Sequence, residues 1–323
     1  MATDNVIMIL LRVIGGLCLF LYGMKVMSDG IQHAAGDRLQ RFLNLMTKNR
    51  FVGIFTGMAV TALVQSSSAV SVMVVTFVNT GLLSLTQAIG VIMGANIGTT
   101  TTAWIVSLVG FEIDISNFAL PAVGIGFIMQ VIKWKHQDLG GVFMGFGFIF
   151  LGLRFLTDAV PSLNPAHLAF IRRFSEKGFV SVLIGLGVGT GATLLVHSSA
   201  ATITLTITMA RGGMVNFGTA AAMILGANIG TTIDAIMAAF GARTAAKRTA
   251  LVHVLFNVVG SVVALIFFRP LIALVDILTP GSIEGGGIAA HLAMFHTVFN
   301  VMGTLLFLPF VSQFAALVSF LIK

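Results

Sequence analysis

Seven apolar runs constrain this chain more than anything else in it, at residues 6–27, 82–109, 118–132, 142–156, 220–240, 251–268 and 288–310. Several reach the ~20 residues that a helix needs to cross a bilayer. Charged residues are 9% of the 323, whereas soluble domains carry about 25%. The expected fold class is therefore an all-α polytopic membrane protein. The opening MATDNVIMILLR lacks a basic stretch, and no small-residue cleavage site follows, so the first run is expected to stay as a span. The single cysteine, Cys18, excludes an intrachain disulfide framework and any multi-cysteine metal site. In such a chain the net charge of +7 reflects cytoplasmic loops and lipid headgroups rather than nucleic acid.

The chain is also written twice. GANIGTT stands at 94–100 and again at 226–232, an offset of 132. The same offset puts QSSSAV (65–70) on HSSAAT (197–202), Gly81 on Gly213, Ala88 on Ala220 and Ala103 on Ala235. With a three-residue shift, Gly23, Lys25, Ser28 and Asp29 fall on Gly152, Arg154, Thr157 and Asp158. A smaller echo joins HVLFNVVG (253–260) to HTVFNVMG (296–303), which relates the last two spans. The expected division is a first repeat over 1–138 (hairpin 51–80, broken helix 82–109), a second over 139–268 (hairpin 179–212, broken helix 214–240), and a C-terminal loop and transmembrane helix over 269–323.

Repeated membrane units mark transporters, and such units are often inverted. Basic residues favour the cytoplasmic side. They gather at 33–50 (Arg38, Arg41, Lys48, Arg50), 133–138 (Lys133, Lys135) and 241–249 (Arg243, Lys247, Arg248), whereas 110–117 and 270–287 carry only acids. If 51–80 dips in and returns, turning at 65–68, each unit crosses an odd number of times and the second must be inverted. The N-terminus then lies outside and the C-terminus in the cytoplasm, with 161–178 (Arg172, Arg173 and Lys177 against Glu176) the one exception to the charge rule. Two re-entrant hairpins would meet near the midplane.

Polar islands inside hydrocarbon need a purpose, because irregular backbone there is tolerated only against protein or a cavity. Gly94 and Gly98, and Gly226 and Gly230, are expected to open helices, freeing carbonyls for a small hard cation. Asn96, Thr99, Thr100, Asn228, Thr231, Thr232 and the intramembrane acid Asp234 are the candidate sodium ligands. Half-helix N-termini with adjacent hydroxyls suit an oxyanion. The candidate anion set is Gln65, Ser66, Ser67, Ser68, His197, Ser198 and Ser199. Against this stands simple close packing, the usual use of small residues in membrane helices; two islands per unit, each repeated in register, favour a site.

QSSS followed some thirty positions later by GANIGTT, twice, resembles the type II sodium–phosphate cotransporter family over nearly the whole chain. The resemblance implies a sodium-coupled symporter that imports inorganic phosphate by alternating access, the anion held between two QSSS-type turns with sodium close by. The alternatives are a phosphate exporter of the same fold and a passive anion channel. Inorganic phosphate, Na+ and the lipid bilayer are the expected partners, with no cofactor, no metal other than sodium and no nucleic acid. A homodimer and a cytoplasmic phosphate-signalling regulator remain open partners. The expected place is the plasma (cytoplasmic, inner) membrane. Many bacterial members of the family carry a further regulator-like helical domain; with the sequence ending at Lys323, the expectation is either that this member lacks it or that the chain was cut ahead of it. One departure from the family pattern is plain: the second turn has His197 for Gln and Ala200 for Ser. An enzyme is not expected, because His197 and Ser198 are sequence neighbours and no acid partner is evident. Lys25/Asp29 and Arg154/Asp158 are i,i+4 pairs at the ends of apolar runs, expected to sit at the membrane interface. His253 and His296 are expected to hydrogen-bond between helices, and His291 is poorly spaced to share a metal with His296.

Overall fold

The computed structural model describes residues 6–35, 49–112, 116–132, 137–159, 175 and 177–323, and the described residues contain helices and connections but no strand. Arg38, Arg41, Lys48, Asp114, Lys133, Lys135, Arg172, Arg173 and Glu176, on which much of the expected charge topology rests, lie outside them.

The first half holds α1 (Val6–Ala35), α2 (Arg50–Val64), α3 (Ser67–Thr80), α4 (Leu85–Trp104), α5 (Ser116–Val131) and α6 (Gln137–Ala159). The second holds α7 (Phe179–Val196), α8 (Ser199–Arg211), α9 (Phe217–Gly230), α10 (Thr232–Ala238), α11 (Thr244–Ile266) and α12 (Phe268–Leu278), followed by α13 (Ile288–Phe307) and α14 (Val311–Leu321). Among the described residues seven helical stretches are long and apolar enough to cross a membrane, whereas α2 and α3 are too short.

The repeat is visible in how helices start and stop. Ser84 caps α4, its hydroxyl accepting from Gln87 N while the Gln87 side chain reaches back to Ser84 N. Asn216, 132 positions on, caps α9 by accepting from Thr219 N. Before each cap the chain reverses at a glycine with positive φ, Gly81 (82°) and Gly213 (67°).

The islands do not open their helices as expected. α4 runs as an unbroken α-helix through residues 94–100 and passes into a π-helical stretch, Ile105–Glu112. In the second copy only Thr231 separates α9 from α10, and its N–H still bonds Ala227 O at 3.1 Å. The glycines serve close packing instead. A Cβ on Gly94 would stand 1.9 Å from Ile54 O in α2, and one on Gly226 would stand 2.1 Å from Leu186 O in α7. The reverse contacts repeat too: Gly57 meets Val91 O and Gly189 meets Met223 O, at 2.3 and 2.0 Å from an ideal Cβ. The first arm of each hairpin therefore lies backbone against backbone on the island helix, the use that small residues have in membrane helix pairs.

α1 and α6, the first helices of the two units, pack by the same device. Gly16 faces Gly152, Gly23 faces Gly145 and Ile149, and Gly30 faces Val142, so the helices run antiparallel. Under the three-residue-shifted register Gly16 corresponds to Gly145 and Gly23 to Gly152. Each contact is thus the mirror of the other, as in a two-fold interface. α11 and α13 repeat the pattern: Phe299 packs on Gly260 and Phe256 on Gly303. Three apolar clusters result, the smallest around Val75, Ala235 and Ala246. The largest gathers Phe20, Ile149, Leu153, Ile203, Ile224 and Phe295, and a second gathers Val74, Ile89, Ile92, Val252 and Val311.

Candidate functional site

Each hairpin turns on two residues. Gln65 ends α2 at φ 56°, ψ 27°, and His197 ends α7 at φ 55°, ψ 30°. They are the only non-glycine residues with positive φ among the described residues. The left-handed region costs an L-residue about 1–2 kcal/mol, and such outliers gather at functional sites. Ser66 and Ser198 follow in extended conformation and cap the next helices, their hydroxyls accepting from Ala69 N and Ala201 N, both at 3.2 Å.

Both turns border one cavity of about 280 Å³. Gln65 and Ser66 line it from the first hairpin, and Ser198 and Ala200 from the second. Ser66 and Ser198 keep their hydroxyl protons free to donate, because each oxygen is used only as an acceptor by the helix it caps. Gln65 is committed elsewhere. Its amide nitrogen donates to Ala62 O, and its Oε1 accepts from Thr102 Oγ1 at 2.9 Å. Ser67 and Ser199, expected in the anion set, are buried first-turn residues that do not line this cavity. Ser68 and His197 are likewise outside it.

Those two meet at Asp234 instead. His197 Nδ1 lies 2.8 Å from Asp234 Oδ1, and Ser68 Oγ donates to Asp234 Oδ2 at 2.5 Å. Ser68 Oγ is also 3.2 Å from Thr231 Oγ1. The carboxylate is 12% exposed and the imidazole 47%. The acid partner of His197, which sequence reasoning did not find, is therefore Asp234. The order is serine, carboxylate, imidazole, so the ring does not reach the serine as a nucleophile's base must. One carboxylate ties together the tips of both hairpins.

Asn96, Thr99, Thr100, Asn228, Thr231 and Thr232 are buried, but the helices around them are not opened to free their carbonyls. Thr99, Thr100 and Thr232 donate to Ala95 O, Ile97 O and Ile229 O. Asn96 and Asn228 donate Nδ2 to the carbonyls of Ile92 and Ile224, at 3.0 and 3.1 Å. That leaves each Oδ1 as an acceptor, and Asn228 Oδ1 lies 3.4 Å from His296 Nε2. The interhelical histidine bond expected of His296 is thus present. Asn257 and Asn300 use the same device, donating to His253 O and His296 O. The oxygen donors available to a cation are side-chain atoms: asparagine Oδ1, threonine hydroxyls and the Asp234 carboxylate.

Lys25 and Asp29, expected at the membrane interface, line the cavity with Ser28 and Gln32 of the same α1 face, a contact that the sequence did not foretell. The signal available was the 25, 28, 29, 32 spacing, one stripe of a helix. Also unforeseen were Ser261 and Thr304. They extend two columns, His253–Asn257–Ser261 and His296–Asn300–Thr304, each residue four beyond the last and all six buried.

Duplicated hairpins that bring two polar turns to one cavity inside an apolar helical body define a polytopic membrane transport protein. The family model described as Na+/Pi-cotransporter matches residues 19–158 and 162–278, and the chain belongs to that family. YjbB of Salmonella typhimurium, which carries a provisional name as an inorganic phosphate export protein, is 30% identical over 270 residues, covering 84% of this chain and 49% of its own. The uncharacterized protein YqeW of Bacillus subtilis is 31% identical over 264 residues, 81% of this chain and 83% of its own. Sodium-dependent phosphate transport protein 2A of Rattus norvegicus is 41% identical over 99 residues, 29% of this chain and 15% of its own. The chain spans about half the length of YjbB. No solved structure matches it.

Proposed function

We propose that this chain is a secondary transporter that couples sodium to inorganic phosphate as a symporter, by alternating access, in the cytoplasmic membrane. The observation that carries the reading is the convergence of the two turns on one cavity, with Ser66 and Ser198 both bordering it. Phosphate sits there, held by hydroxyl donors from both hairpins. Na+ binds nearby at Asn96, Thr99 and Thr100, at Asn228, Thr231 and Thr232, and at Asp234. The two units are inverted repeats with re-entrant hairpins. The antiparallel, reciprocal contact of α1 with α6 supports the inversion, and the shortness of α2 and α3 supports the re-entrance of the first hairpin. The N-terminus is outside and the C-terminus cytoplasmic.

Import is the first reading, and export the second, favoured by the name that YjbB carries. A coupled carrier runs in the direction its gradients set. The test is labelled phosphate uptake into proteoliposomes with and without an inward sodium gradient. Concentrative uptake that needs the gradient is expected. Equal, non-concentrative fluxes under both conditions would make the protein a passive pathway.

A further inference from the structure

The cavity has a wall that neither hairpin supplies. Lys25, Ser28, Asp29 and Gln32 of α1 face it as one helical stripe. Ser28 Oγ accepts from Gln32 Nε2 at 2.9 Å, which leaves Lys25 and Asp29 as the stripe's charged groups. Among the described residues no ion pair or hydrogen bond joins their side chains to each other. Lys25 and Asp29 are exposed residues, as Arg154 and Asp158 are; the α6 pair differs in that Arg154 Nε is 3.8 Å from Asp158 Oδ2 and neither residue lines this cavity. The duplicated cation–acid pair is closed on itself in one copy and open toward the two turns in the other.

An ammonium offers three donors and a charge, whereas an ionised carboxylate only accepts. A carboxylate beside an oxyanion repels it unless the anion brings a proton of its own. Near neutral pH phosphate always carries at least one O–H and sulfate carries none. A site that accepts a hydrogen bond from its substrate rejects the analogue lacking that donor, because the acceptor is then left unpaired.

Resting on the phosphate reading above, we propose that Lys25 and Asp29 determine anion specificity: Lys25 supplies the countercharge, and Asp29 accepts the proton of a protonated tetrahedral oxyanion and so excludes sulfate. In proteoliposomes bearing the full chain under a sodium gradient, excess inorganic sulfate is expected to leave phosphate uptake by the unsubstituted protein unchanged. Asp29→Asn replaces the acceptor with a group that can donate, so sulfate becomes a competitor, its inhibition constant falling at least about tenfold. Asp29→Ser is the second variant should the amide misfold, with the same expectation. Lys25→Gln should raise the phosphate KM about tenfold or more and leave the sodium concentration for half-maximal uptake unchanged. Continued exclusion of sulfate by a folded Asp29 variant overturns the role of Asp29, and an unchanged phosphate KM in folded Lys25→Gln overturns that of Lys25. If Ser66→Ala and Ser198→Ala weaken phosphate while the α1 variants behave as the unsubstituted chain, this proposal falls and the phosphate reading stands. If the unsubstituted protein moves no phosphate, both fall together.

Discussion

His197 Nδ1 lies 2.8 Å from Asp234 Oδ1, and this pair occupies the places that Gln65 and Thr102 hold 132 positions earlier, where Thr102 Oγ1 donates to Gln65 Oε1 at 2.9 Å. Both copies bridge the hairpin tip to the island helix with one polar contact. The substitution of histidine in the second QSSS-type turn and the acid inside an apolar run are therefore a single exchange, a neutral pair for an ionisable one.

An exchanged pair should behave as a unit. His197→Gln and Asp234→Thr, made singly, each leave a partner mismatched, and the double variant restores the chemistry of the first copy. The expected coupling in a double-mutant cycle is about 0.5–3 kcal/mol, favouring the double variant. Thermal unfolding of the four purified proteins reads it. The loss of Ser68's acceptor occurs in both Asp234 variants and cancels in the cycle. Additive effects would mean that the contact carries no energy.

Ser66 and Ser198 are expected to matter more to phosphate than Ser67 and Ser199. Removing a donor to a charged ligand costs about 1.5–3 kcal/mol, a rise of roughly tenfold or more in phosphate KM. Each change also removes a helix cap, costing about 1 kcal/mol of stability. Comparing phosphate KM across the four alanine variants, with folding checked by thermal melts, tests the order. A larger effect at Ser67 or Ser199 would move the site off the cavity.

Gly94→Ala and Gly226→Ala should both fail by collision. Their new Cβ atoms would come 1.9 and 2.1 Å from carbonyl oxygens of the hairpin arm. Backbone cannot yield as a flexible side chain can, and overpacking costs typically about 1–3 kcal/mol and sometimes more. Melting temperature and monodispersity in detergent should both drop, while Gly124→Ala, where nothing lies within 4 Å, should leave them unchanged. Equal melting of Gly94→Ala and Gly124→Ala would contradict the tight contact.

Asn228→Ala is expected to raise the sodium concentration for half-maximal transport more than it raises phosphate KM. It removes a buried side-chain oxygen of the island and strands His296 Nε2. Asn96→Ala should act in the same direction. Sodium titrations of uptake at saturating phosphate decide it, and unchanged sodium dependence in both would count against a cation role.

Inversion of the two units can be checked without any ligand. With Cys18 removed, single cysteines at Ser116 and at Lys135 should react with a membrane-impermeant reagent from opposite sides. Labelling of both from one side would refute the topology.

The duplication and the turn positions were legible in the sequence because they are local, and the caps, which are equally local, came to light in the structure. Glycine at 81 and 213, a capping residue at 84 and 216, and a serine following each hairpin's end are needs that a single turn of backbone imposes. The misreading of residues 94–100 has an equally local cause. Glycine permits both an opened helix and a close helix contact, and nothing along the chain says which, since the answer depends on Ile54 and Met58 lying across the island.

The sequence alone determined that the chain is helical, apolar enough to span a membrane and built from two copies of one unit. These follow from composition and periodicity, which need no partner to be read. Tertiary structure alone decided which polar groups meet. Asp234 found His197 37 residues away and Ser68 166 residues away, and Lys25 shares one cavity with turns from two different repeats. Such contacts are fixed by how helices pack across a two-fold relation, and packing depends on shapes that distant segments present to one another, a quantity no local pattern encodes.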